Sequence, residues 1–234
     1  MKKMQTALQI LIISTAFFST SLGWAAGGAS IGGGGYSGST TEPTKRKTPQ
    51  ELAIQNYNQG LKYRDKAWSL TQAADAQSNE KKRSKLEKKA KKQFKKAAKR
   101  FRTAVKNEPL FYQAHGSLGY AQRKLGNYDA AVAAYDESLR LNPEYTEAIE
   151  YRAEAYLSLG RLEETRAAYL ELVNMDRPRA DQLMAVIQKW LQQEHVSIDP
   201  KLMAEFENWA TERLTLSNQT FDLSGAAPRD WQPD

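Results

Sequence analysis

The stretch "GSLGYAQRKLGNYDAAVAAYDESLRLNP", residues 116–143, decides the fold. It carries small residues, Gly116, Gly119, Ala121, Ala131 and Ala134, where an amphipathic helix usually carries bulk. Side chains this small let two helix backbones come close. Gly126-Asn127 interrupts the stretch and Asn142-Pro143 closes it, so it reads as two helices joined by a tight turn.

Shifting the chain by 34 residues lays Gly126 on Gly160, Ala121 on Ala155, Leu125 on Leu159 and Tyr135 on Tyr169; the reverse shift lays Tyr135 on Phe101 and Pro143 on Pro109. A fixed period of this length marks stacked helix–turn–helix units. The residues resemble the tetratricopeptide repeat (TPR) family, whose pattern is W-x2-L-G-x2-Y, then A-x3-F, then Pro. Unit 112–145 carries Leu118-Gly119, Ala131, Tyr135 and Pro143, with His115, Gln122 and Ser138 in place of the family's Trp, Tyr and Ala. Unit 146–179 keeps Ala153, Tyr156 and Tyr169, has Thr165 for Ala, and places Pro178 one residue late. The resemblance implies that Gly119 meets Ala131 where the helices of one hairpin cross, and that Tyr135 and Tyr156 fill gaps toward neighbouring units.

An earlier unit, residues 48–111, is split. Gly60 and Tyr63 belong to its first helix and Ala97, Phe101, Ala104 and Pro109 to its second, with 25 more residues between glycine and proline than in unit 112–145. The inserted segment has no Gly or Pro and keeps helical spacing through Leu86, Ala90, Phe94, Ala97 and Phe101. Both helices are therefore expected to lengthen by ~12 residues, or ~18 Å, with the turn near Ala76 to Glu80. Thr48, Pro49 and Glu51 form a helix-start signature ahead of this unit. Residues 180–214 contain two more amphipathic segments, with apolar stripes at Leu183, Val186, Ile187, Trp190 and Leu191 and at Leu202, Phe206, Trp209 and Leu214. They are expected to cap the stack, leaving 215–234 as a flexible tail. The fold class expected is all-α: a short solenoid of about three TPR-like units with a long inserted helical hairpin and C-terminal capping helices.

The beginning of the sequence reads differently. Residues 1–25 have a Lys-Lys start, a short apolar run broken by Ser and Thr, and small residues Gly23 and Ala25 at the end. The run is shorter than the ~20 residues needed to span a bilayer, so a secretory signal peptide cleaved after Ala25 is expected. Residues 26–47 are Gly-, Ser- and Thr-rich and read as a flexible linker. No cysteine is present, which excludes disulfides, thiolate chemistry and a lipidated cysteine. A periplasmic protein without a lipid anchor is the expectation.

Charge is polarised along the chain. The net value is +7, yet residues 81–106 hold fourteen Lys and Arg against one acid, Glu87, whereas residues 107–234 hold twelve basic and twenty-one acidic residues. The basic hairpin, with Lys81, Lys82, Arg83, Lys88, Lys89, Lys91 and Lys92, is a candidate anion-binding surface. In an exported protein its partners would be lipid head groups, lipopolysaccharide or cell-wall polymers rather than nucleic acid.

Catalytic signals are weak. The two histidines, His115 and His195, take a packing position and a surface position beyond a helix, and make no nucleophile–base or metal-ligand pair. "GASIGGGG" lacks the strand before it and the Lys-Ser/Thr after it that a phosphate loop requires. No cofactor or metal is expected, and the chain reads as a non-enzyme. The family resemblance implies binding of a protein or peptide segment on the face lined by the first helices. That face would carry Tyr57, Arg64, Tyr120, Arg123, Lys124, Glu147, Glu150 and Glu154, with the glutamates on one helical face. Tyr57 and Leu61 stand where the family's carboxylate clamp has Lys and Asn, so that specificity is not expected.

Overall fold

The computed structural model describes residues 46–193, 195 and 198–224, with side chains through residue 216. The expected signal peptide, most of the linker and the "GASIGGGG" run lie outside the described residues. The described residues form eight α-helices and no strand.

Helix α1 spans Pro49–Asp75. Thr48 Oγ1 accepts from the Glu51 amide at 3.1 Å while the Glu51 carboxylate accepts from the Thr48 amide at 2.8 Å, so two amides that no helical carbonyl could serve are satisfied at the outset. Helix α2 spans Glu80–Asn107 and starts on Asn79, whose side chain accepts from the Lys82 amide. Between them residues 76–79 make the turn. The buried positions of α1, Ala53, Gly60, Ala67 and Ala74, recur every seven residues, and on α2 Ala90, Ala97 and Ala104 do the same, as do Phe94 and Phe101. A seven-residue repeat of small side chains keeps one narrow seam turned toward the partner helix and lets the backbones lie close. Measured against the next unit, α1 runs ten residues farther past its crossing glycine and α2 starts fourteen residues earlier before its crossing aromatic. The two extensions are thus unequal rather than ~12 residues each, because Asn79 nucleates α2 immediately after the turn.

Helices α3 (Tyr112–Lys124) and α4 (Tyr128–Leu141) are followed by α5 (Thr146–Ser158) and α6 (Leu162–Met175), each pair displaced by 34 residues. Gly126 and Gly160 end the first helices with φ of 82° and 70°, the left-handed region that glycine enters without a Cβ penalty. A Cβ on Gly119 would lie 2.7 Å from Tyr135, and one on Gly60 would lie 2.5 Å from Phe101. Tyr135 therefore seats its ring on the glycine of its own hairpin and also belongs to the core shared with α5 of the next unit. A fully buried aromatic ring needs a vacancy, and the missing side chain supplies it. Tyr156 and Tyr169 are buried in the same continuous core, and Pro143 lies in the turn that leads from α4 to α5.

The C-terminal part departs from expectation in two places. Pro178 sits in the first turn of α7 (Arg177–Leu191), capped by Asp176, so it opens a helix instead of closing a unit. Helix α7 packs on both α5 and α6, the position that the first helix of a further unit would take. Helix α8 runs Pro200–Ser224, ten residues beyond the expected end at 214, because no Gly or Pro interrupts it before Gly225. Its Phe206, Trp209 and Ala210 are buried; Trp209 meets Tyr169 edge-on at 5.4 Å and covers the end of the apolar core. His195, expected at the surface, instead stacks on Trp190 at 3.5 Å and donates through Nε2 to the Trp190 carbonyl. His115 donates to the Pro109 carbonyl at 2.9 Å, a packing role.

Candidate functional site

Residues on α1, α3 and α5, the first helices of their units, together with Tyr135 of α4 and Tyr145 just before α5, line an open cavity of about 290 Å³. Of the residues expected on this face, Arg64, Tyr120 and Glu147 line the cavity. Tyr57 does not line it; its ring packs against Phe111 and Phe101, with centroids 4.7 and 5.7 Å away, and burial pushes its hydroxyl pKa up. Tyr120 bridges the helices, 6.2 Å from Phe94 on α2 and 5.3 Å from Tyr151 on α5, and burial raises its pKa as well.

The charged side chains form cross-braces. Arg123 is buried, pairs with Glu154, and lays its guanidinium over Tyr151 at 4.9 Å and Tyr120 at 5.5 Å. Glu150 is buried and accepts from Arg179 on α7; burial holds its carboxyl above the usual carboxylate range even with that partner. Lys124 lies over the Tyr120 ring at 5.6 Å, and burial, with the Arg123 charge next in weight, lowers its pKa. Arg64 is bound to Asp65 at 2.8 Å. The acidic stripe read from the sequence is therefore not uniform: Glu150 and Glu154 are paired inside the stack, whereas Glu147 accepts from the Tyr145 hydroxyl at 3.1 Å and has no ion pair among the described residues.

Six lining residues, Asp65, Trp68, Ser117, Tyr145, Ala148 and Tyr151, escaped the sequence reading. Two had signals. Trp68 continues the row Tyr57, Leu61, Arg64 at spacings of four, three and four, and Tyr151 lies 34 residues after Ser117.

On α2 the residues Lys81, Lys82, Arg83, Lys88, Lys89, Lys91 and Lys92 are all exposed. Arg83 pairs with Glu80 and lies 3.7 Å from Glu87, but no lysine of α2 forms an ion pair among the described residues. These residues do not join the cavity. No group of side chains that could hold a metal ion occurs among the described residues, and no described helix is long and apolar enough to cross a membrane.

The tetratricopeptide repeat family model matches residues 88–145 and 118–182. No curated protein sequence matches the chain significantly. Similar solved structures include the first TPR of Spaghetti (RPAP3) bound to the HSP90 peptide SRMEEVD, at 20% identity over 56% of this chain and 96% of that one, with a TM-score of 0.39. They also include the TPR2B domain of yeast Sti1 in complex with pHsp70, at 19% identity over 61% and 98%, with a TM-score of 0.40. A third is the Sgt2 TPR domain from Aspergillus fumigatus, at 14% identity over 72% and 88%, with a TM-score of 0.35. Residues 88–182 therefore match the tetratricopeptide repeat family model, and the 34-residue period and the crossing glycines fall in the same part of the chain.

Proposed function

We propose that this chain is a non-catalytic, exported scaffold that binds a segment of another protein in the groove of α1, α3 and α5, within the cell envelope. One observation carries the reading: the first helices together line a single cavity rich in aromatic rings, with Tyr120, Tyr145, Tyr151 and Trp68 around it. Rings of this kind supply large contact area at little entropic cost, as binding surfaces require. Trp68 is 53% exposed, a large apolar group left facing water. Export rests on residues 1–25 and is checked by sequencing the N-terminus of the mature protein, expected at Ala26. Groove binding is checked with a photo-crosslinking residue at position 120 of the full chain in its native cells. A protein partner should be captured, and Tyr151→Ala should abolish capture. Capture that is unchanged by Tyr151→Ala would overturn the groove reading.

A second reading concerns the hairpin. Its exposed, unpaired lysines favour attraction to anionic lipid or envelope polymer. The full chain should sediment with vesicles containing anionic lipid at low salt and be released as salt rises. Replacing Lys88, Lys89, Lys91 and Lys92 by Gln should remove that binding; retention would exclude the hairpin as its cause.

A further inference from the structure

We infer that the groove cavity is a subsite for one cationic side chain, a lysine or arginine of the bound segment. This rests on the proposed reading of the groove as a peptide-binding surface and adds the chemistry it selects. The cavity is lined by three charged residues, Arg64, Asp65 and Glu147. Arg64 and Asp65 cancel each other at 2.8 Å, which leaves Glu147 as the net charge of the site. The neighbouring glutamates are consumed elsewhere, Glu150 by Arg179 and Glu154 by Arg123. Glu147 meets no cation at ion-pair distance among the described residues, and the Tyr145 hydroxyl that donates to it leaves most of its acceptor capacity open.

The walls suit the same ligand. Tyr120, Tyr151 and Trp68 present rings to the space, and a cation is attracted to the face of such a ring. The stem of a lysine or arginine can lie along the rings while its head reaches the carboxylate. An anionic group would meet the Glu147 carboxylate instead, while the Arg64 guanidinium is already bound to Asp65. At about 290 Å³ the cavity is at the lower end of the ~300–1,000 Å³ range of small-ligand pockets, enough for one side chain and not for a folded element.

The test uses the full chain on an array of random-sequence dodecapeptides in ~0.5 M salt, which screens the exposed hairpin more than the recessed cavity. Peptides that bind and are lost with Tyr151→Ala should share a lysine or arginine, and their affinity should fall roughly tenfold or more in Glu147→Gln. Glu147→Asp, which keeps the charge at the start of α5, should retain most of the binding and shows that the fold is intact. Groove-dependent peptides that lack a common basic residue, or that bind Glu147→Gln unchanged, overturn the cation subsite and leave the groove reading standing. If no bound peptide depends on Tyr151, both fall.

Discussion

Arg123 of α3 and Glu154 of α5 form an ion pair that joins consecutive repeat units, with the side chains only 8% and 16% exposed. Removing one partner leaves a charge with little water to solvate it, which costs about 3 kcal/mol or more. Arg123→Met is therefore expected to lower unfolding free energy by roughly 3 kcal/mol. Adding Glu154→Leu to it should recover part of the loss, giving a coupling of about 1–3 kcal/mol in a double-mutant cycle. Urea unfolding followed by helical circular dichroism measures both quantities.

Gly119→Ala and Gly60→Ala test the seats of the two aromatic rings. Alanine favours a helix by about 1 kcal/mol over glycine, but the new methyl group would press on a fully buried Tyr135 or Phe101. Overpacking of this kind costs about 1–3 kcal/mol. The steric effect wins, and both variants should be less stable than the parent in thermal unfolding. A gain in midpoint for either would show that the ring has room to move.

The inserted hairpin should open before the repeat stack does. Past Phe94, the seam toward the tip is buried only through Ala67, Ala74 and Ala90, side chains that bury little apolar area, whereas α4 to α7 contribute Tyr135, Ile149, Leu162, Leu172, Leu183 and Ile187 to one core. Amide exchange in residues 69–92 is expected to proceed with a lower opening free energy than in residues 148–172. Equal protection in the two segments would contradict this.

Glu150 links stability to pH. Burial raises its folded-state pKa above the unfolded value, so the folded chain binds the proton more tightly. Its contribution to stability is then most favourable in acid and declines as pH rises through the interval between the unfolded and folded values. The stability difference between the parent and Glu150→Gln should fall across that interval and level off above it. A difference that rises with pH would mean that Arg179 outweighs burial.

Local signals carried much of the fold. The Thr48 cap, the turn glycines Gly126 and Gly160 and the 34-residue offset depend on chemistry within one turn or one period, and each has a direct mark in the sequence. The site was less legible. Glu154 and Arg179 lie 31 and 29 residues from Arg123 and Glu150, and nothing in helical periodicity says that those side chains meet. Read along one helix, Glu147, Glu150 and Glu154 are a single acidic stripe; only the stacking of α3, α5 and α7 shows that two are consumed. Trp68 was hidden for a related reason: it follows the crossing glycine within the lengthened part of α1, where insertion and groove wall are the same helix. The length of α8 was less legible because its apolar stripe ends at Leu214, whereas the Thr, Ser and Asn that follow do not break a helix as Gly or Pro does.

The seven-residue rhythm of Ala53, Gly60, Ala67 and Ala74 against Ala90, Ala97 and Ala104 makes the hairpin a spacer with quantised length. Seven residues are about two helical turns, or ~10 Å, so removing or adding one heptad in each arm returns every remaining side chain to its former facing. Cutting any other number would rotate the lysines around the rod and bring a bulky or charged residue into the alanine seam. The distance between the charged tip and the groove can therefore change in steps of about a nanometre while the binding surface at its base is left as it is.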